Sequence, residues 1–200
     1  MANTKNMLHL IADDKGHIAS TLRSEGYEMK NLFLKHNNPA YSMSNNSDFT
    51  RSLDCTETIE TSEVLFRELN ILYQMHEIIP NNVPEIIADV KNGDGALCGY
   101  VIEYVQGNYF FSESYSKNSN GLSQLECAVI ALHENKIAHG DLHKRNILVK
   151  SDGKIVLIDP YAFSEDDPTK LFIVHSKIDR MWLERYEEEI QLQFIAEQRR

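Results

Sequence analysis

The chain has 200 residues, of which 42% are hydrophobic, so it can form one substantial core or two small lobes but not several independent domains. Its formal net charge of -10 at pH 7 argues against binding to nucleic acid or to an anionic membrane surface. The N-terminus has no Sec-type apolar segment and no later run could span a bilayer, so a soluble protein is expected.

Short apolar runs separated by turn residues open the chain. They predict three strands, at residues 7–12, 19–23 and 27–35. The loop between the first two contains Gly16, which either forms a plain turn or allows the backbone to approach a ligand closely. A polar segment rich in Asn, Ser and Thr follows at 36–61, and a loop of this length is usually functional or mobile.

A helix is predicted from Ser62 to Met75, where apolar residues recur at helical spacing. Glu68 falls on the apolar side of this helix, so its carboxylate needs a partner or a shifted pKa. Lys35, which ends an apolar strand, is a candidate partner. The alternative is that Glu68 lies at the edge of the stripe and reaches water, while Lys35 is simply solvated.

Further along, a β-hairpin and a helix are predicted. Residues 84–90 and 96–105 flank an Asn-Gly-Asp-Gly turn at 92–95. Residues 122–135 then carry apolar side chains at helical spacing. A second, shorter hairpin is predicted from the apolar runs 147–149 and 155–158.

The stretch from His139 to Asn146, with Asp159 after the second hairpin, is the most specific pattern in the chain. Asp141 precedes Asn146 by five residues, and Asn146 precedes Asp159 by thirteen. A carboxylate and an amide oxygen are ligands that Mg²⁺ accepts, and a further carboxylate can orient a hydroxyl for attack on a phosphate. In the alternative interpretation, the three are ordinary turn residues around a solvated hairpin.

These residues and spacings resemble the protein-kinase-like superfamily, with His-Gly-Asp at 139–141 in place of His-Arg-Asp and Asp-Pro-Tyr at 159–161 in place of Asp-Phe-Gly. The resemblance implies an α+β, bilobal protein-kinase-like fold. Its small lobe, residues 1–105 with a polar insertion at about 36–61, would be an antiparallel sheet plus one helix. Residues 106–200 would form a reduced helical large lobe.

The same resemblance implies ATP and Mg²⁺ as cofactors and assigns five catalytic or metal-binding roles. Asp141 would be the catalytic carboxylate, and Lys35 would hold the α- and β-phosphates while Glu68 anchors it. Asn146 and Asp159 would bind the metal.

Five further residues are implied to contact the nucleotide. Gly16 stands in the place of the glycine-rich loop, although it is a single glycine where kinases usually have three. Ile102 would be the gatekeeper, and the backbone of Glu103 and of Val105 would pair with adenine. His143 would contact the γ-phosphate or merely pack.

The size and the His-Gly-Asp loop also resemble the HopBF family of bacterial type III secreted effector kinases. That resemblance implies a monomeric serine/threonine kinase, secreted without a Sec signal, that acts in the host cytoplasm. Its implied substrate is a host protein, the heat-shock protein 90 chaperone, with neither nucleic acid nor membrane as a partner.

Two other functions stay open. Small-molecule phosphotransferases of the aminoglycoside or sugar type share the His-Gly-Asp-Leu-His pattern, but they build their acceptor pocket from extra helices. Only 41 residues follow Asp159 here, and their apolar pattern predicts one closing helix. The apolar side of that helix is predicted to comprise Ile178, Met181, Trp182, Tyr186, Ile190 and Phe194. The other alternative is a pseudokinase that acts as a binding module.

Overall fold

The computed structural model describes residues 8–11, 18–36, 62–112, 115–161 and 168–199. Gly16 and residues 37–61 of the polar segment therefore lie outside the described residues. The chain divides into two compact units, Met1–Asn70 with Glu85–Tyr104 and Ile71–Pro84 with Val105–Arg200. Helices and a mixed sheet together make the protein α+β, as the sequence predicts.

A four-stranded sheet forms the centre of the first unit. Its strands are β1 (Leu8–Ile11), β2 (Leu32–His36), β3 (Ile86–Lys91) and β4 (Leu97–Glu103), in the order β1-β3-β4-β2. β1 runs parallel to β3, whereas the other pairs are antiparallel, so the prediction of a purely antiparallel sheet is wrong. The parallel pair is possible because a long connection, rather than a hairpin, separates β1 from β3.

The second predicted strand, residues 19–23, is wrong: helix α1 spans Ile18–Ser24. Ile18 and Leu22 are both buried and stand four residues apart, which is a helical and not a strand period. The third predicted strand begins later than expected, because Met29–Asn31 form a 3₁₀ turn before β2. With residues of β1 to β4, Ile18 and Leu22 complete the core of this unit.

The predicted hairpin of β3 and β4 is confirmed. The side-chain Oδ1 of Asn92 accepts hydrogen bonds from the backbone N–H groups of Asp94 and Ala96 at 3.0 and 2.9 Å. Gly95 has a φ of 81°, a left-handed conformation that glycine adopts without a steric penalty. The turn signal in the sequence therefore acts through both the Asn side chain and the glycine backbone.

Helix α2 spans Ser62–Ile78, one turn longer than predicted, and contributes residues to both units. The second unit adds α3 (Tyr115–Glu134) and α4 (Pro168–Gln198). It also contains a three-stranded antiparallel sheet, which consists of β5 (Asn108–Tyr109), β6 (Ile147–Val149) and β7 (Ile155–Leu157). None of the described helices is both long enough and apolar enough to cross a membrane.

The core of the second unit is formed by α3, α4 and the small sheet. On α4 the predicted apolar side is only partly correct. Tyr186 and Ile190 are buried, but Met181 is 66% exposed and Phe194 is 44% exposed. The face of α4 that is buried passes through Tyr186 and Ile190 and also includes a carboxylate, Asp179, that is 0% exposed.

The hairpin β6–β7 is held on α3 by one amide side chain. Gln124 donates from Nε2 to the carbonyl of Gly153 at 2.9 Å and accepts at Oε1 from the N–H of Ile155 at 3.3 Å. Because both amide atoms are used, the hairpin is fixed in two directions. The residues that follow β7 therefore leave from a rigid support.

Candidate active site

In the first unit, Lys35 and Glu68 form an ion pair, with Nζ to Oε1 at 2.6 Å. The side chains are only 17% and 3% exposed. Lys35 is placed by β2, whose register sets it opposite Tyr100 of β4, and Glu68 by the buried side of α2. The carboxylate on the apolar side of this helix is thus paired with the lysine that the sequence offered as its candidate partner.

In the second unit, Asp141 and Asn146 are joined directly. Nδ2 of Asn146 donates to the backbone carbonyl of Asp141 at 3.0 Å and to its Oδ2 at 2.9 Å. Both partners are acceptors, so the nitrogen of the amide must face them. Its oxygen, Oδ1, is then the atom that Asn146 can offer to a cation. The 3₁₀ turn Lys144–Asn146 brings the two residues together across five positions.

His139 lies beneath this turn and is fully buried. Its Nδ1 accepts from the N–H of Asp141 at 3.3 Å, and its Nε2 lies 3.0 Å from the carbonyl of Ile158, to which it must donate. These two bonds fix the neutral tautomer with the proton on Nε2. Burial lowers the pKa of His139 below its usual value, although Asp179 opposes the shift. His139 is therefore a structural link between the Asp141 turn and the segment of Asp159.

Asp179 of α4 caps the same turn from within the core. Its Oδ2 accepts from the N–H of His139 at 3.0 Å, and its Oδ1 accepts from the N–H of Gly140 at 2.8 Å. The Nε2 of His133 also lies 3.0 Å from Oδ2. Gly140 has a φ of 77°, so the turn needs both a glycine and an acceptor for its buried N–H groups. One carboxylate supplies that acceptor.

Tyr186, two helical turns further along α4, holds the other end of the loop. Its hydroxyl donates to the carbonyl of Leu142 at 2.6 Å. Burial, with Glu189 adding to it, raises the pKa of this hydroxyl well above its usual range, so it remains a donor. Asp179 and Tyr186 together fix the backbone on both sides of Asp141.

Asp159 follows directly after a residue that is tied to Asn146. The N–H of Ile158 donates to the backbone carbonyl of Asn146 at 3.0 Å, and the N–H of Tyr161 donates to the carbonyl of His139 at 2.8 Å. Asp159 itself is exposed and has a φ of 52°, a left-handed conformation that is uncommon outside glycine. Strain of this kind is found more often at functional sites than elsewhere.

The donors of Asn146 and Asp159 fit a magnesium ion that is shared with a nucleotide. Among the described residues, no group of three or more His, Cys, Asp or Glu side chains could hold a metal ion by itself. Mg²⁺ usually takes one or two protein oxygens and completes its shell with phosphate oxygens and water. The carboxylate of Asp159 and the Oδ1 of Asn146 match that pattern.

His143 lies beside Asp141, with Nε2 at 3.7 Å from Oδ2. Its Nδ1 accepts from the N–H of Arg145 at 3.2 Å and so caps the 3₁₀ turn. The side chain is one third exposed. The structure thus shows a capping role, while contact with a γ-phosphate stays a prediction.

The residues predicted to bind adenine are described in their own units. Ile102 and Val105 are each 8% exposed, and Val105 packs against Leu148 and Val156. The N–H of Glu103 donates to the carbonyl of Glu85 at 2.8 Å, so this donor is already used within the first unit. Adenine recognition by these residues remains a prediction.

The sequence did not predict that the turn is supported by three other residues, His133, Asp179 and Tyr186. Tyr186 had been predicted only as part of the apolar side of the closing helix. A signal for Asp179 was present. It lies seven residues before Tyr186, on the same face of a helix whose apolar side had been recognised. A carboxylate at such a position needs partners, by the same argument that selected Glu68.

No family model matches this chain, whereas a comparison with curated proteins finds a partial match. The chain is 42% identical over 96 residues to calcium-dependent protein kinase 6 of Plasmodium berghei (strain Anka). The match covers 43% of this chain and 6% of that kinase, so the chain spans only a small part of the relative's length. It indicates a kinase-like relationship, with which the α+β fold is compatible.

Proposed function

We propose that this protein is an ATP- and Mg²⁺-dependent phosphotransferase that phosphorylates serine or threonine in a protein. The observation that carries the proposal is the double hydrogen bond from Asn146 to Asp141. It places a carboxylate suited to orienting a hydroxyl next to an amide oxygen suited to a metal. The N–H of Ile158 links the same Asn146 to the segment of Asp159. The partial likeness to a protein kinase supports the choice of a protein substrate.

Each residue has a role that its chemistry permits. Asp141 accepts the hydrogen bond of the incoming hydroxyl and orients it. Asn146 and Asp159 hold the metal, which when bound neutralises charge on the phosphate oxygens. Lys35, kept in place by Glu68, contacts the α- and β-phosphates. The remaining rate enhancement would come from positioning, because phosphoryl transfer needs little covalent chemistry from the protein.

The nucleotide contacts follow the same proposal. In this proposal residues 1–105 form the small lobe and residues 106–200 the large lobe of a kinase-like fold. Ile102 limits the adenine site, the backbone of Glu103 and Val105 contacts the base, and Gly16 and His143 contact phosphates. Since the N–H of Glu103 is already donated to Glu85, a contact from this residue would use its carbonyl oxygen.

The resemblance to the HopBF family extends the proposal to a substrate and a location. The protein would be a monomeric secreted effector that phosphorylates the heat-shock protein 90 chaperone in the host cytoplasm. It would act without nucleic acid or membrane. The net charge of -10 agrees with the last expectation, because phosphate backbones and anionic lipids repel such a chain.

A small-molecule phosphotransferase is the second candidate, and the turn at Gly140 favours it. A Cβ built on Gly140 would lie 2.7 Å from Nδ1 of His175 and 2.8 Å from Cβ of Tyr161, and φ is 77°. The turn therefore excludes the arginine that His-Arg-Asp kinases carry there and conforms to the His-Gly-Asp pattern of antibiotic kinases.

Incubation of the protein with γ-labelled ATP and Mg²⁺ tests these functions. Three acceptors are offered separately: purified heat-shock protein 90, a eukaryotic cell lysate, and a panel of aminoglycosides and sugars. A labelled protein band supports the proposal, whereas label only in a small molecule supports the second candidate. Nucleotide binding without any turnover would instead indicate a pseudokinase.

Variants of the two aspartates sharpen the assay. Asp141→Ala should lower kcat by roughly 10²–10⁴-fold, as expected for loss of a positioned base, with little change in nucleotide affinity. Asp159→Ala should abolish turnover and the effect of Mg²⁺ on ATP affinity. The matched control is Asp152→Ala, since Asp152 is exposed in the β6–β7 turn and forms an ion pair with the exposed Lys154. Wild-type turnover in both active-site variants would contradict the proposal.

A further inference from the structure

His175 of α4 is a buried histidine that has no role in the proposed phosphoryl transfer. It is 9% exposed, and its Nδ1 has no hydrogen-bond partner among the residues that the structure describes. Buried polar atoms are hydrogen-bonded in the great majority of cases, so each exception needs a reason. His175 therefore calls for an explanation through its contacts.

The imidazole ring lies against both segments that carry the candidate catalytic aspartates. Its centroid is 4.3 Å from that of the Tyr161 ring, with 38° between the planes, and Tyr161 follows Asp159 by two residues. Nδ1 of the same ring lies against Gly140, so close that a Cβ there would be 2.7 Å away. Gly140 directly precedes Asp141. One ring thus contacts the neighbours of both aspartates.

We propose that His175 is a positioning residue that keeps the Asp141 turn and the Asp159 segment in their relative positions by packing its ring against both Gly140 and Tyr161. This inference rests on the proposed phosphotransferase function for its catalytic consequence. Its structural part, the local rigidity of the turn, can be measured without any assumption about function.

Two kinds of support act on the turn from the same helix. Asp179, one helical turn after His175, holds the N–H of Gly140 at 2.8 Å. That bond holds the turn on α4 but makes no contact with Tyr161. The ring of His175 contacts Tyr161 as well as Gly140. The N–H of Tyr161 also donates a hydrogen bond to the carbonyl of His139 at 2.8 Å, which joins the two segments directly.

The contact depends on the flat shape of the ring rather than on its nitrogen. Nδ1 faces Gly140 at the position that a Cβ would occupy, so among the described residues it has packing contacts and no hydrogen-bond donor. Loss of the ring would leave a gap beside both segments. A displacement of about 1 Å between reacting groups can cost on the order of 10²-fold in rate.

The test compares His175→Ala with His175→Phe in the full-length protein. We expect kcat of the Ala variant to fall by about ten- to a hundredfold while KM for ATP changes by less than about threefold. The Phe variant, which keeps a flat ring, should recover kcat to within about fivefold of wild type. If Phe is as impaired as Ala, the nitrogen matters and the packing role is wrong.

Hydrogen exchange of the backbone, measured without nucleotide or metal, separates this proposal from the proposed function. In His175→Ala the amides of residues 139–146 should exchange at least about tenfold faster while other core amides keep their rates. The matched control is Ile190→Ala, which removes a buried side chain from the same helix. It should lower the melting temperature without selective exchange at 139–146. Unchanged exchange there in His175→Ala would overturn the inference, even if kinase activity were absent altogether.

A double-mutant cycle with Gly140→Ala provides a second check. The added Cβ meets His175 and Tyr161, so this variant should be strongly impaired. Removal of the ring in Gly140→Ala/His175→Ala relieves one of the two contacts, so the second substitution should cost less than in wild type or partly restore kcat. Strictly additive effects would show that the ring and the turn are not coupled.

Discussion

The Lys35–Glu68 pair and the Asp141 turn are held in opposite ways. In the first unit, the ammonium of Lys35 is held by a bond between two side chains, Nζ to Oε1 at 2.6 Å. In the second, Asp141 is fixed mainly through the backbone on either side of it, by Asp179 and Tyr186 of α4. The first arrangement depends on a charge, and the second depends on satisfying buried backbone groups.

This difference predicts different responses to substitution. A side-chain ion pair can be replaced by two apolar side chains without loss of the fold, because both charges leave together. A carboxylate that satisfies backbone N–H groups has no such replacement, since the N–H groups remain. Joint replacement of Lys35 and Glu68 should therefore lower activity with little loss of stability, whereas replacement of Asp179 should lower both.

The largest effect is expected for Asp179→Ala. It would leave the N–H groups of His139 and Gly140 buried without their acceptor, at a cost of about 1–3 kcal/mol each. Chemical denaturation should show a loss of roughly 2–6 kcal/mol, and kcat of the folded fraction should fall at least about a hundredfold. Glu188→Ala, an exposed acid on the same helix, is the control and should change neither. A stable and active Asp179→Ala variant would remove the contrast between the units.

A smaller stability effect, separable from activity, is expected at the ion pair. Lys35→Met removes the ammonium from beside a nearly buried carboxylate and should destabilise the protein by about 3 kcal/mol. The double variant Lys35→Met/Glu68→Leu should regain most of that stability, as measured by denaturation, but not the ATP affinity. Lys30→Met, at an exposed lysine, serves as control. Equal activity of the double variant and wild type would exclude a phosphate-binding role for Lys35.

The smallest effect is a pH dependence at His139, whose pKa is lowered by burial in the folded state. The unfolded chain therefore binds a proton more readily than the folded one between the folded pKa and the usual value of about 6.5. Stability should be constant above that pH and decline as the pH falls through this window. The measurement is the free energy of unfolding from pH 8 to pH 5. In His139→Gln the slope that His139 contributes should disappear, and an unchanged slope would assign the dependence to other groups.

The comparison also shows what could be predicted from sequence. Glu68 was found because a carboxylate interrupts an apolar helical stripe, and the stripe was long enough to set the phase of the helix. Asp179 interrupts a stripe in the same manner, yet the pattern of α4 was interpreted only as core. The signal was equivalent in both places. The two cases differ in the partner of the carboxylate. Glu68 pairs with a lysine side chain, which can be identified in a sequence. Asp179 binds backbone N–H groups, which no sequence pattern displays.

The errors in the fold have equally local causes. Residues 19–23 are too few to distinguish a period of two from one of 3.6, and Ile18, which completes the helical spacing with Leu22, lay outside the predicted strand. β1 was correctly predicted as a strand, but its parallel pairing with β3 depends on a contact between residues about 80 positions apart. Hairpins, whose pairing is set by the turn itself, were predicted correctly.

Trp182 gives the second unit a built-in optical reporter. It is the only tryptophan in the chain, and its ring stacks on that of Tyr186 at a centroid distance of 5.6 Å. Tyr186 in turn bonds the carbonyl next to Asp141, so the indole is two contacts away from the turn. We therefore expect the fluorescence of this single indole to respond to the packing of the loop without any label, so that its intensity can be followed in the same cuvette as the activity assay.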